Sequence, residues 1–232
     1  MVVVAGGTGF LGRALVAALR TRGRDAVVVT RDPSRASLPE GARAVSWSDL
    51  PGAVDGADAV VNLAGETIAQ RWTDAAKARI VASRAEAAEK VGAALRAAKA
   101  KPAVLVNASA VGFYGNRGDE ELDEASPAGA GFLAETCLAW EEAARRAAPE
   151  EVRLVLPRIG LVLGEEGGAL SKMLLPFRLG LGGPLGSGKQ WMPWIHRDDL
   201  VSLLLAALDD PRYDGPVVAA APNPVTMKEF AA

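Results

Sequence analysis

Apolar residues occur in two patterns along this chain: short unbroken runs and stripes at helical spacing. Val2, Val3 and Val4 form an unbroken run, which predicts a strand buried on both faces. Leu11, Ala14, Leu15, Ala18 and Leu19 then recur at helical spacing, and Gly23 stands where such a helix stops. Further runs predict strands over Ala26 to Val29, Ala44 to Trp47, Ala59 to Gly65, Val104 to Ser109, Val152 to Leu156 and Val217 to Ala221. Between them, Thr73 caps a long helix to about Ala100, with Ile80, Arg84, Ala87, Val91 and Leu95 near one face. A second helix follows Ser126-Pro127, with Leu133, Cys137, Trp140 and Ala144 on one stripe. Its Glu141-Glu142 pair precedes Arg145-Arg146 by four residues, spacing that suits a helix surface. Leu170 to Leu179 reads as a helix interrupted by Pro176, and Asp198-Asp199 caps another over Leu200 to Leu208.

Strands alternating with amphipathic helices predict an α/β fold, a parallel sheet with helices on both faces. From Gly160 the chain becomes glycine-rich and then holds the last sheet strand. Thr226-Met227-Lys228-Glu229 has the form of a capping box, and the chain stops three residues later. A helix cut in its first turn is not stable alone, so the substrate lobe is expected to lack a carboxyl-terminal portion.

The central stretch is Ala5-Gly6-Gly7-Thr8-Gly9-Phe10-Leu11-Gly12, between the first strand and the first helix. Gly6, Gly9 and Gly12 there permit a tight turn, close approach of a pyrophosphate and close helix–strand packing. Thr8, Phe10 and Leu11 complete the loop at the helix amino terminus, where backbone N–H groups and the dipole favour an anion. After the second strand comes Thr30-Arg31-Asp32-Pro33. An acidic residue at that place binds a ribose 2′-hydroxyl, whereas an arginine accepts a 2′-phosphate. Arg31, with Arg35 and Arg13 near in sequence, favours a phosphorylated cofactor, and Asp32 is its rival. Leu63, Ala64 and Gly65 end the fourth strand with small side chains that leave room for a ligand.

Composition narrows the classes. The formal net charge is −2, with no long run of one sign, which argues against nucleic acid or an anionic membrane as main partner. One cysteine, Cys137, excludes an internal disulfide, and one histidine, His196, excludes a multi-histidine metal site. No basic-then-apolar leader precedes the first strand and no apolar stretch is long enough to span a membrane, so a cytoplasmic location is expected.

The order of motifs resembles the extended short-chain dehydrogenase/reductases, the NAD-dependent epimerase/dehydratase superfamily. It runs from the glycine turn through Asn62-Leu63-Ala64-Gly65 and Ser109 before Phe113-Tyr114-Gly115 to Trp194-Ile195-His196-Arg197-Asp198-Asp199. It is similar more narrowly to an atypical epimerase-like branch. The marks are Asn62 to Glu66, Ser83-Arg84, Trp140-Glu141 and the run Leu175-Pro176-Phe177-Arg178-Leu179-Gly180-Leu181-Gly182-Gly183-Pro184. The resemblance implies a Rossmann-type doubly wound parallel sheet, with residues 1–160 as the dinucleotide-binding domain and residues 161–232 as a glycine-rich substrate-facing segment plus the last sheet strand. It implies NADP(H) as cofactor, with Ser83 joining the residues that hold it. It implies a small-molecule substrate, carbonyl or hydroxyl and nucleotide-linked in the epimerases, and it leaves homo-oligomers open.

The catalytic centre departs from the superfamily. No tyrosine is followed four residues later by lysine: Gly118 and Val217 stand there after Tyr114 and Tyr213. The helix that should carry the pair offers Phe132, Leu133, Thr136 and Cys137. Ser109 matches the hydroxyl that polarises a substrate carbonyl, and Tyr114 is a displaced acid; these two are the expected catalytic residues, each with a packing or backbone-bonding role as the alternative. An NADP(H)-dependent epimerase or oxidoreductase and a non-catalytic NADP(H)-sensing module both fit the sequence.

Overall fold

The computed structural model describes residues 1–165, 167–178, 182–184 and 186–232. The side chains of residues 169, 172, 175 and 176 also lie outside the description, so the long run from Leu175 is seen only in part.

In chain order the elements are β1 (Val2–Ala5), α1 (Phe10–Thr21), β2 (Ala26–Thr30), β3 (Arg43–Ser46), α2 (Leu50–Val54), β4 (Ala59–Asn62), α3 (Asp74–Ala97), β5 (Val104–Asn107), β6 (Ser109–Ala110) and a 3₁₀ turn (Val111–Tyr114). There follow α4 (Phe132–Ala147), β7 (Arg153–Ile159), β8 (Leu161–Leu163), α5 (Gly168–Arg178), β9 (Trp191–Met192), β10 (Trp194–His196), α6 (Arg197–Asp209), β11 (Gly215–Ala219), β12 (Val225–Thr226) and α7 (Met227–Phe230).

The main sheet runs β3-β2-β1-β4-β5-β7-β11, with every pairing parallel and β6 beside β7. This is the doubly wound arrangement, and its order reverses between β1 and β4. In register, Ala5 faces Val29 on one side and Asn62 on the other. The strand ends that carry the glycine loop, Arg31 and the Leu63 segment therefore open onto one crevice.

Unbroken valine runs produce this sheet because both faces are covered. Val2 and Val4 pack with α1 and α6, while Val3 and Ala5 pack with α2 and α3. The β1, β4 and β5 side chains are all buried. A short helix at Leu50–Val54 escapes the hydrophobic pattern, since Pro51 and Gly52 interrupt it; tertiary burial of Leu50, Ala53 and Val54 holds it instead. The helix after Ser126-Pro127 starts later, at Phe132, because Asp123 and Ser126 fold into a hydrogen-bonded turn first. Leu200 to Leu208 extends at its start to Arg197, with the His196 Nδ1 rather than an aspartate accepting from the Asp198 N–H at 3.2 Å. The expected helix over Leu170 to Leu179 is present as Gly168–Arg178, and Leu179 lies outside the described residues.

Two arginines satisfy the carbonyls at helix ends that the backbone alone leaves unpaired. Arg96 on α3 donates to Ala147 O at the end of α4 (3.0 Å). Arg153 on β7 donates to Ala207 O (3.0 Å) in the last turns of α6 and to Tyr213 O. The α3–α4 contact is close enough that a Cβ on Gly92 would sit 2.7 Å from Ala147 Cα. Replacing Gly92 by alanine gains about 1 kcal/mol of helix propensity, but forcing two packed backbones apart costs about 1–3 kcal/mol. With both partners rigid the cost falls in the upper half of that range, so Gly92→Ala is expected to lose about 1–2 kcal/mol net and to lower the thermal midpoint by about 2–8 °C. An unchanged or raised midpoint in a calorimetric scan would refute this account of the packing.

Candidate active site and nucleotide crevice

The glycine loop is shaped by what surrounds it. Gly6 has φ +78°, and a Cβ there would lie 2.8 Å from the Leu63 carbonyl carbon. Gly12 lies against the start of its own loop, 2.6 Å from Gly7 Cα for the same test. Any side chain at either place would push the loop off β4 or α1 off the loop. Gly9 differs: its nearest neighbour in that test is Gly6 O at 3.4 Å, so the protein itself leaves room there. Gly9 is also the N-cap of α1, with no side-chain cap and no acid in the first turn. The first-turn N–H groups of Phe10, Leu11 and Gly12 are thus offered to the crevice rather than to the chain.

Beside this loop lies a cavity of about 360 Å³ lined by Thr8, Arg13, Thr30, Arg31, Asp32, Arg35, Ala36 and Ser37. Three arginines from α1, the end of β2 and the turn after it converge on it. Asp32 is engaged locally. Its Oδ1 accepts from Ser34 N (3.1 Å) and Ser34 Oγ (2.6 Å), capping a 3₁₀ turn.

Across the switch point, the β4 and β5 ends are tied side by side. Asn62 Nδ2 donates to Asn107 Oδ1 (2.7 Å), and Asn62 Oδ1 accepts from Ala64 N (3.2 Å), with both amides fully buried. This bonding shapes the Leu63-Ala64-Gly65 turn. Ser83 Oγ accepts from Glu66 N (2.9 Å) and donates to Ile80 O (3.0 Å), so it holds the following loop from α3. Helical spacing places Arg84 on one face of α3, and Ser83-Arg84 is one of the marks of the family resemblance. In the structure its guanidinium lies over the Trp140 ring at 5.0 Å and beside Gly65, donating to Glu66 O (3.0 Å). The sequence signal for it was its place directly after Ser83.

The two expected catalytic hydroxyls lie in one buried polar cluster. Ser109 is 2 % exposed, and its Oγ donates to Glu141 Oε1 at 2.7 Å. Arg158 grips the same carboxylate at both oxygens, Nε to Oε1 at 2.9 Å and Nη2 to Oε2 at 3.1 Å. Its Nη1 donates to the Tyr114 hydroxyl (3.0 Å), which in turn donates to Asp123 O (2.9 Å). The guanidinium stacks on Phe113, 3.5 Å from the ring centroid. Arg145 adds a third cationic contact to Glu141 at 2.9 Å. Helical spacing read Glu141 as a surface partner of Arg145. It is instead fully buried, and one carboxylate serves both the surface pair and the core.

Electrostatics follow from this geometry. Burial opposes the charge on Glu141, but hydrogen bonds from Arg158 and Ser109 outweigh it and hold its carboxyl below the usual range. Burial pushes the Tyr114 phenol up, against the pull of Arg158. Cys137 is buried on α4 and its thiol is pushed up to about 11, so it stays protonated at neutral pH. Among the described residues no group of histidine, cysteine and carboxylate side chains is arranged to hold a metal.

A carboxyl lowered in the folded state contributes stability above its unfolded pKa of about 4.3 and loses it as the pH falls through the folded value. Removing the charge also leaves Arg158 buried without a counter-ion, which costs about 3–5 kcal/mol. Glu141→Gln should therefore destabilise the protein by about 3 kcal/mol at pH 7. The gap to wild type should narrow below about pH 4. Urea titrations at neutral and acidic pH check this, and a gap independent of pH would contradict it.

The comparisons with known proteins agree with this architecture. The model of the NAD dependent epimerase/dehydratase family matches residues 2–219. The chain is 45 % identical over 237 residues to the chloroplastic epimerase family protein SDR39U1 homolog of Arabidopsis thaliana, covering 99 % of this chain and 68 % of that protein. The crystal structure of human epimerase family protein SDR39U1 with NADPH superposes with a TM-score of 0.90 at 39 % identity, over 99 % of this chain and 77 % of the other. The nucleoside-diphosphate sugar epimerase from Corynebacterium glutamicum gives 0.85 at 35 % identity, over 99 % of this chain and 48 % of the other. With sheet order, glycine loop and overall match in accord, the chain belongs to the NAD dependent epimerase/dehydratase family.

Proposed function

We propose that this chain binds NADP(H) in the crevice at the carboxyl ends of its strands, as an epimerase-like oxidoreductase acting on a small carbonyl or hydroxyl substrate. The observation that carries the cofactor is the cavity bounded by Arg13, Arg31 and Arg35 beside an uncapped helix amino terminus. Gly6, Thr8, Gly9, Phe10, Leu11 and Gly12 would cradle the pyrophosphate, and Arg31 and Arg35 a 2′-phosphate. Leu63, Ala64 and Gly65, braced through Ser83, would border the nicotinamide half. Bound there, the cofactor supplies a hydride donor or acceptor. The human relative of similar structure was crystallised with NADPH, which supports this choice. A nucleotide-linked substrate is supported by the epimerase from Corynebacterium glutamicum, which shares 35 % identity.

Proton transfer is where the chain differs from a standard reductase. Ser109 and Tyr114 both send their hydroxyl protons inward, to Glu141 and to Asp123 O. In that arrangement they position the 3₁₀ turn beneath a substrate rather than protonate it. This favours a second reading, a module that holds NADP(H) and reports it without turnover. For Ser109 to polarise a carbonyl, its proton must leave Glu141 for the substrate.

Calorimetric titration separates the cofactors. NADPH is expected to bind at least about tenfold more tightly than NADH, and Arg31→Ala should erase most of that preference. Equal binding of both by wild type, or a preference that survives the substitution, overturns the assignment. Oxidation of NADPH against carbonyl compounds and nucleotide sugars, by wild type and Ser109→Ala, then decides between the enzyme and the module.

A further inference from the structure

Residues 115–131 join the 3₁₀ turn to α4 and leave the fold at the crevice end of β5 and β6. The base of this segment is fastened to the buried cluster. Arg158 Nη1 donates to Glu124 O (3.2 Å), the Tyr114 hydroxyl donates to Asp123 O (2.9 Å), and Gly129 N donates to Phe113 O (2.9 Å). Glu124 also accepts from Val218 N on β11 at 2.8 Å. Within the segment, Arg117 holds Glu120 through two hydrogen bonds of 2.8 and 2.6 Å. At the tip, one bond reaches the glycine-rich lobe: Trp191 Nε1 donates to Asp119 Oδ1 at 2.8 Å, from a ring 43 % exposed. Trp191 lies on β9, a two-residue strand whose partner, β12, is as short.

The geometry points to residues 115–131 as a strap that closes the substrate side of the crevice, latched by Asp119 to the Trp191 indole and hinged on Arg158. The base has several anchors, one of them a charged group buried in the core. Among the described residues the tip makes one bond to the lobe, between two exposed side chains; its other bonds stay inside the segment, from Arg117 to Glu120 and to Pro127 O at 3.4 Å. Loss of the bond to Trp191 unties the tip from the lobe and leaves the base in place. The inference rests on the NADP(H) reading of the crevice for its functional meaning, and its test is built to stand apart from that reading.

Two variants break the latch at exposed positions, Asp119→Ala and Trp191→Phe, the second keeping a ring without the N–H donor. In the cofactor-free chain, amide hydrogen exchange over 116–122 should rise about fivefold in both, with 123–129 unchanged. Unchanged exchange at the tip, or faster exchange at tip and base alike, overturns the strap whatever the cofactor. With NADPH bound, acrylamide quenching of nicotinamide fluorescence should rise at least about twofold in both variants, while NADPH affinity stays within about twofold of wild type. Quenching that stays at the wild-type level shows that the strap does not cover the nicotinamide and overturns the closure. Failure of NADPH to bind at all would sink the cofactor reading alone, because the exchange result is independent of it.

Discussion

The bond between Arg158 and Glu141 is the contact on which the segment after β5 depends. It joins β7 to α4 below the crevice and draws Ser109, Phe113 and Tyr114 around one guanidinium. A buried ion pair is a weak source of net stability, because desolvation cancels much of the attraction. Its value here is geometric. A planar fork held at two carboxylate oxygens fixes direction as well as distance, and each remaining guanidinium contact fixes another piece of the 3₁₀ turn or of the segment that follows it. The nucleotide side depends on backbone proximity instead, through glycines that let β1, α1 and the β4 turn approach one another.

The division between what the sequence displays and what it conceals follows the same line. The valine runs, the stripe on α1, the Thr73 cap and the Thr226–Glu229 box are local features, and each appears in the structure where the residues imply it. The glycine loop was legible for the same reason, since a strand, a turn and a helix start lie in one short stretch. The bond from Ser34 to Asp32 was not, because a carboxylate beside a proline can equally cap a turn or reach a ribose. The Ser109–Glu141–Arg158 cluster was hidden. Its members lie far apart in the chain, and Glu141 has the spacing of a solvent-exposed helix pair. The stripe of Leu133, Cys137, Trp140 and Ala144 marked the inward face of α4, and Glu141 lies on that face beside Trp140, but its charge and its spacing to Arg145 read as surface.

The active-site difference has a physical reading as well. An acid–base tyrosine needs a cation near it and an open path to the substrate. Here the cation near Tyr114 is Arg158, already committed to a carboxylate, and the phenol is pushed toward its neutral form. The arrangement resists ionisation of the tyrosine. The human relative, whose backbone is closely similar, was crystallised with NADPH.

The bond from Val218 N to Glu124 has a further meaning at the border of the sheet. β11 is an outermost strand, and its second side presents backbone groups that a foreign strand would match. A carboxylate set on that row occupies one donor and repels an approaching backbone carbonyl. One acidic segment thus carries both the bond from the Trp191 indole and a carboxylate that guards the open margin of the sheet against a foreign strand.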